Sequence, residues 1–266
     1  MFDSIAGDYD SLNHILSLDV DKIWRKKALK QIVDAPAPAR VLDLACGTGD
    51  FSIAIAKALS RSHKRVRTPI EAHVKAPAKA PVEAQVTSTG FVTGDSGRSD
   101  LMTKGHVTGV DLSEGMLAVM REKVAKAGLT EMISIEEGDG ENLRFPDNTF
   151  DRVTIAFGIR NFEDRPKGLR EMLRVLKPGG RLVILELSRP ENKIIRWFYD
   201  LYFLHILPKI GGKVSGDKAA YAYLPASVAA FPGKKAFMAT MREAGFRTVT
   251  HKAFTLGICR MYTGEK

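Results

Sequence analysis

The chain has 266 residues, is 44% hydrophobic and carries a formal net charge of +9, which is length enough for one large domain with a full hydrophobic core. No run of 18 or more apolar residues occurs, so no helical bilayer span is expected. The acidic, polar start "MFDSIAGDYD" lacks the basic-then-apolar order of a secretory signal. Cys46 and Cys259 are the only cysteines, which excludes a disulfide framework and suits a reducing, cytoplasmic compartment. The six histidines are scattered, so no metal site is expected.

In chain order, residues 19–33 ("DVDKIWRKKALKQIV") predict an amphipathic helix, with Val20, Ile23, Trp24, Ala28 and Ile32 at spacings of three to four. "APAP" breaks it, and "RVLDLA" (40–45) predicts a short strand. Glycines follow at 47 and 49, then a helix over about 50–60.

Residues 61–105 differ from their surroundings. "HVKAPAKAPVEAQVTSTG" is rich in Ala, Pro and Lys and non-periodic, a composition that buries too little apolar area to offset the entropy of ordering. A disordered insertion within a single domain is expected there. It holds eight Lys/Arg against four Asp/Glu, so +4 of the net +9 resides in it. The basic balance therefore argues little for nucleic acid as a partner, and no basic stretch carries the interleaved aromatics of a single-strand binding surface.

Strand and helix then alternate. "HVTGVDLS" predicts a strand, "SEGMLAVMREKVAKAG" a helix, "ISIEEGD" a strand and "FDRVTIAFG" a buried strand. "DRPKGLREMLRVLKPGG" predicts a helix closed by Pro-Gly-Gly, and "RLVILELS" a further strand. A long aromatic helix (about 191–210) and more helix (about 216–244) come next. "FRTVTHKAF" and "GICRMYTGE" end the chain as an antiparallel pair. The alternation predicts an α/β, Rossmann-like, doubly wound sheet, mostly parallel, with an antiparallel C-terminal strand. Ligands of such sheets lie outside the carboxyl ends of the strands.

In "VLDLACGTGDF" (41–51), Gly47 and Gly49 permit positive φ and close backbone approach by a ligand. Asp111 closes the next strand, 62 residues after Gly49, or 17 once the 45-residue insertion is removed. That is near the spacing of about 20 at which an acid meets ribose hydroxyls. With Asp43 and Asp139, three acids stand at successive strand ends. They make a poor pyrophosphate site and suit a ligand with a positive group, a ribose and an adenine amine: S-adenosylmethionine. As helix caps or turn formers the same acids need no ligand at all.

The chain resembles the C-methyltransferases of menaquinone and ubiquinone biosynthesis, a class I S-adenosylmethionine-dependent family acting on demethylmenaquinone and 2-polyprenyl-benzoquinols. The resemblance rests on "FDSIAGDYDSLNHILSLDVDKIWR", "DLACGTGD", "DLSEGML", "FPDNTFD", "AFGIRNFEDR", "EMLRVLKPGG", "LELSRP", "YAYLPASVAAFP" and "MREAGF". It covers nearly all of the chain outside 61–105. It implies cofactor contacts at Thr48 in the glycine loop, Asp111 at the ribose, Asp139 with Gly140 at the adenine, and Ala156. Many members have Asn-Ala in place of Asp139-Gly140 and Ser in place of Ala156. A prenylated quinol is the implied substrate, and a peripheral contact with the inner face of the membrane follows from where such substrates dissolve.

Two other enzyme classes fit less well. Amino-group methyltransferases acting on bases carry a Pro-Pro pair after the fourth strand, where this chain has "FGIRNF". An NAD(P)-dependent oxidoreductase wants a third glycine where Ser52 stands. A non-catalytic cofactor-binding module leaves "GIRN" unexplained. Arg160 and Asn161 are the catalytic candidates: Arg160 to stabilise a developing phenolate, Asn161 to orient the hydroxyl or a proton-accepting water. The base stays open among Tyr221, Tyr223 and His14. The plainer alternative is that Arg160 pairs with Glu163 or Asp164 within its loop, and that "IIRWFYDLYFLHIL" (194–207) is a buried helix rather than a lining for the isoprenoid tail.

Overall fold

A computed structural model describes residues 19–35, 38–66, 105–202 and 218–266. Seven strands form one sheet: β1 (Arg40–Leu44), β2 (His106–Asp111), β3 (Ile133–Glu137), β4 (Phe150–Ala156), β5 (Leu176–Leu187), β6 (Arg247–Phe254) and β7 (Cys259–Glu265). Their order is β3-β2-β1-β4-β5-β7-β6. The first five run parallel, and β7 pairs antiparallel with both β5 and β6.

Side chains alternate along each strand, so every central strand feeds two apolar layers. Val41, Val107, Val183 and Leu185 face α1 (Val20–Ile32), α2 (Asp50–Val66) and α3 (Glu114–Lys126), packing with Trp24, Ile32, Ile55, Leu117 and Met120. Leu42, Leu44, Val153, Ile155, Leu182 and Ile184 face α4 (Arg165–Val175) and α7 (Lys234–Glu243), packing with Leu169, Met172, Phe237 and Met241. Two further helices complete the described chain, α5 (Lys193–Leu201) and α6 (Lys218–Ala230). Strand order reverses between β1 and β4, which opens a crevice at their carboxyl ends.

The expected α/β architecture is the one found, with local differences. Helix α2 runs on to Val66, past residue 60, because "RSHKRV" has no Gly or Pro to stop it. Residues 67–104, the bulk of the expected insertion, lie outside the described residues. Helix α4 stops at Val175, and β5 begins at Leu176, paired with Phe150. Pro178-Gly179-Gly180 therefore sits inside the strand, at a register shift, rather than capping the helix. Arg174, in the last turn of α4, bonds Glu171, Asp147 and the backbone carbonyls of Leu143 and Phe145. Glu171 and Asp147 raise its pKa, and the bonds to Leu143, Phe145 and Asp147 tie the 143–147 loop to the helix.

Candidate active site

The carboxyl ends of β1 to β4 enclose a cavity of about 330 Å³, a size within the range of small-ligand sites. Ala45 closes β1, Asp111 closes β2, Gly138 and Asp139 follow β3, and Ala156, Phe157 and Gly158 end β4. Gly47, Gly140, Asn161 and Phe162 complete the main walls.

The floor is strained. Ala45 has φ 48° and Phe157 φ 62°, a left-handed conformation unusual for residues bearing a Cβ. A Cβ at Gly158 would stand 2.4 Å from the Ala45 Cβ, so glycine is what lets the ends of β1 and β4 meet. Phe157 is held by its N–H donating to the Leu185 carbonyl and by its ring contact with Trp24.

One wall is acidic. The Asp111 carboxylate accepts hydrogen bonds from the N–H of Gly47 (2.8 Å) and of Ser113 (2.9 Å), which fixes the glycine loop against β2. Asp139 accepts from the N–H of Glu141 at 2.8 Å. Gly140 packs under the Phe162 ring, where a Cβ would meet the ring at 2.5 Å.

Three residues expected at the cofactor are not among the residues that line the cavity. Asp43 is buried within β1 and accepts a 2.6 Å bond from the Ser52 hydroxyl; burial pushes its pKa up to about 7. It supports the glycine loop from below and is absent from the cavity walls. Thr48 is buried with its hydroxyl near the Lys123 ammonium at 3.3 Å. Gly49, with φ 83°, makes room for Met120, whose Cγ is 2.4 Å from where its Cβ would be. The sequence marks Asp43 as a strand-end acid and the other two as loop residues. What Thr48 and Gly49 face depends on packing against α3, about 70 residues away.

Arg160 needs the largest revision. The 3-10 turn Ile159–Asn161 follows β4, and its Arg160 side chain turns inward, away from the cavity. The guanidinium donates to Glu186 Oε1 at 2.9 Å, to the Phe157 carbonyl, and to Ser227 Oγ at 3.3 Å. The Arg160 N–H also reaches Glu186 Oε2, at 3.1 Å. Glu186 is fully buried, so the pair is an internal ion pair on β5, not a loop pair with Glu163 or Asp164. Arg160 thus anchors the turn. Asn161 is the member that lines the cavity, and its Oδ1 accepts from the Tyr223 hydroxyl at 2.9 Å. His14 and the Tyr221 side chain lie outside the described residues.

Over its described part, Lys193–Leu201, helix α5 is not a buried helix; residues 203–207 of the expected run lie outside the described residues. Of its residues only Tyr199 is buried, whereas Ile194, Trp197 and Phe198 are 70%, 61% and 60% exposed and Leu201 39%. None of them lines the cavity.

These residues fit S-adenosylmethionine. Gly47 lines the cavity, the carboxylates of Asp111 and Asp139 can accept from ribose hydroxyls and from an amine, and among the described residues no lysine or arginine lines it to favour a phosphate. A model of the ubiE/COQ5 methyltransferase family matches residues 1–266. The chain belongs to that family. It is 44% identical to the ubiquinone/menaquinone biosynthesis C-methyltransferase UbiE of Geobacter sulfurreducens, over all of this chain and 87% of that protein. It is 39% identical to the demethylmenaquinone methyltransferase of Bacteroides fragilis, over all of this chain and 91% of that protein. The fold is shared with a crystal structure of a SAM-dependent methyltransferase from Aquifex aeolicus (TM-score 0.54, 19% identity, 90% of this chain and 88% of that one). The chain is a methyltransferase, and its cofactor is S-adenosylmethionine.

Proposed function

We propose that the protein transfers a methyl group to a ring carbon of a prenylated quinol, demethylmenaquinol before the benzoquinol precursor of ubiquinone. Family membership supports this reading, and the observation that carries it is the two-sided cavity. Asp111 and Asp139 line it at the ends of β2 and β3, where the cofactor would lie, and Phe157 and Asn161 line it beyond β4. When bound, the cofactor supplies a methyl group on a positive sulfur. The chain must orient an aromatic ring and favour loss of a proton from its hydroxyl. A phenol has a pKa of about 10, so roughly one in a thousand is ionised at pH 7, and closing that gap requires about 4 kcal/mol. The ring carbon bonds the methyl, the sulfur keeps the bonding pair, and the ring proton leaves to water.

The exposed apolar stripe of α5 supports a peripheral position on the cytoplasmic face of a membrane, where a prenylated substrate resides. No described helix is long and apolar enough to cross one. Purified protein with labelled cofactor should methylate demethylmenaquinol, and more weakly the benzoquinol. Transfer to neither by a folded protein would redirect the reading to another lipophilic small molecule. Flotation with anionic liposomes should carry the protein upward, and Trp197→Ser should abolish it while leaving turnover of a tailless quinol intact. Equal flotation of the two would remove α5 from the contact.

A further inference from the structure

We propose that Tyr223 is a positioning residue: its hydroxyl holds the Asn161 amide so that the NH2 group faces the cavity as a neutral donor for the substrate oxygen. This rests on the quinol reading above.

Among the described residues the cavity walls carry four carboxylates, Asp111, Asp139, Glu141 and Glu163, and no lysine or arginine. None of these wall residues offers a phenolate a cation. Arg160, the nearest in sequence, has its guanidinium committed to Glu186, Ser227 and the Phe157 carbonyl, and Arg165 Nη2 is bonded to the Arg160 carbonyl at 2.8 Å. Asn161, on the same wall, offers a neutral N–H that stabilises the oxygen without adding charge.

Asn161 has one carbonyl and two N–H donors. An amide on a two-fold rotor presents either end to a ligand unless a neighbour decides. The Tyr223 hydroxyl, donating to Oδ1 at 2.9 Å, occupies the carbonyl end and turns the donor end the other way. Helix α6 supplies both constraints on the turn. Tyr223 and Ser227 are four residues apart, hence on one face, and bond Asn161 and Arg160 respectively. Ser227 in turn donates to the Leu224 carbonyl, so the helix carries a fixed polar ridge against the 3-10 turn. The same face explains why "YAYLPASVAAFP" and "GIRN" belong to one site despite a separation of about 60 residues.

Tyr223→Phe tests the idea, because it removes one oxygen and keeps the ring. The expected result is a fall in kcat of about 10- to 100-fold at pH 7, with cofactor Kd and quinol KM each within about twofold. The deficit should narrow as pH rises and the quinol ionises unaided. In Asn161→Ala the further change Tyr223→Phe should cost nothing, since the hydroxyl then has nothing to orient. A pH-independent loss, additive effects in the double variant, or no loss at all would overturn the proposal. A readout that needs no turnover separates it from the quinol reading. With S-adenosylhomocysteine bound, a nitrophenol probe titrated by absorbance should show a lower pKa on the parent than in solution, and less lowering on Tyr223→Phe. A probe that keeps its solution pKa in both proteins also overturns it, whatever the natural substrate proves to be.

Discussion

The two walls of the cavity are built on different physics. On the side proposed for the cofactor, the strand-end carboxylates of Asp111 and Asp139 accept hydrogen bonds from backbone N–H groups within the glycine loop or two residues along the chain. On the side proposed for the substrate, the Ile159–Asn161 turn is held by side chains from β5 and α6, 26 to 67 residues away. The first wall keeps its shape through local backbone geometry. The second depends on a buried ion pair, and losing one partner of such a pair leaves an uncompensated charge in low dielectric.

That contrast is most exposed at Arg160. Arg160→Ala strands Glu186 and should lower unfolding free energy by about 3–5 kcal/mol. Urea melts should show it, with Glu186→Gln in the same background recovering part of the loss. A melt unchanged by Arg160→Ala would mean the ion pair holds nothing, and the substrate wall would be as local as the other.

Asp43 sharpens the comparison from the cofactor side. Its folded pKa of about 7 lies above the ordinary 3.8 because burial disfavours the charged form. Below pH 4 both states hold the proton and the group contributes nothing. Between about 4 and 7 the folded state alone retains it, so stability should fall as pH rises, by about 1.4 kcal/mol per unit. Asp43→Asn should flatten that slope in denaturant midpoints read from pH 4.5 to 7.5. Parallel profiles for parent and variant would show that Asp43 is ionised in the fold.

Asp111→Ala removes a carboxylate that pins Gly47 and faces the cavity, so cofactor affinity should drop about 10- to 100-fold by calorimetry, with a smaller effect on the melt than Arg160→Ala. Unaltered affinity in a folded variant would take Asp111 out of the site. Lys126→Ala breaks an exposed pair with Glu122 on α3 and should leave the midpoint unmoved, as such pairs are screened by water and salt. A shift comparable to Asp111→Ala would contradict the claim that the cofactor wall owes little to surface charge.

Much of the fold was legible in the sequence because it rests on period and punctuation. Alternating apolar runs named the strands, and "CGTG" placed the first turn. Asp111 and Asp139 were marked by the same pattern, as acids at strand ends, whereas Gly140 and Ala156 came from the family resemblance; all four line the cavity. Asp43 was misplaced because periodicity does not say how many residues of a strand remain under the loop. Arg160 was misplaced because its partner, Glu186, sits inside "VILEL", where a buried glutamate has no local signature. Nothing in the spacing relates Tyr223 to Asn161. Helix α5 was equivocal, since an apolar run reads the same whether covered by protein or exposed.

Arg174 has a bearing on the order in which the molecule assembles. The loop over 143–147 has its carbonyls and Asp147 collected by a side chain that arrives some 30 residues later, on α4. Those bonds form only once that helix has docked, and contacts that wait on distant chain form late. In refolding followed by pulsed amide exchange, protection of the Leu143 N–H, which donates to Glu171, should therefore appear together with protection of α4 and never ahead of it.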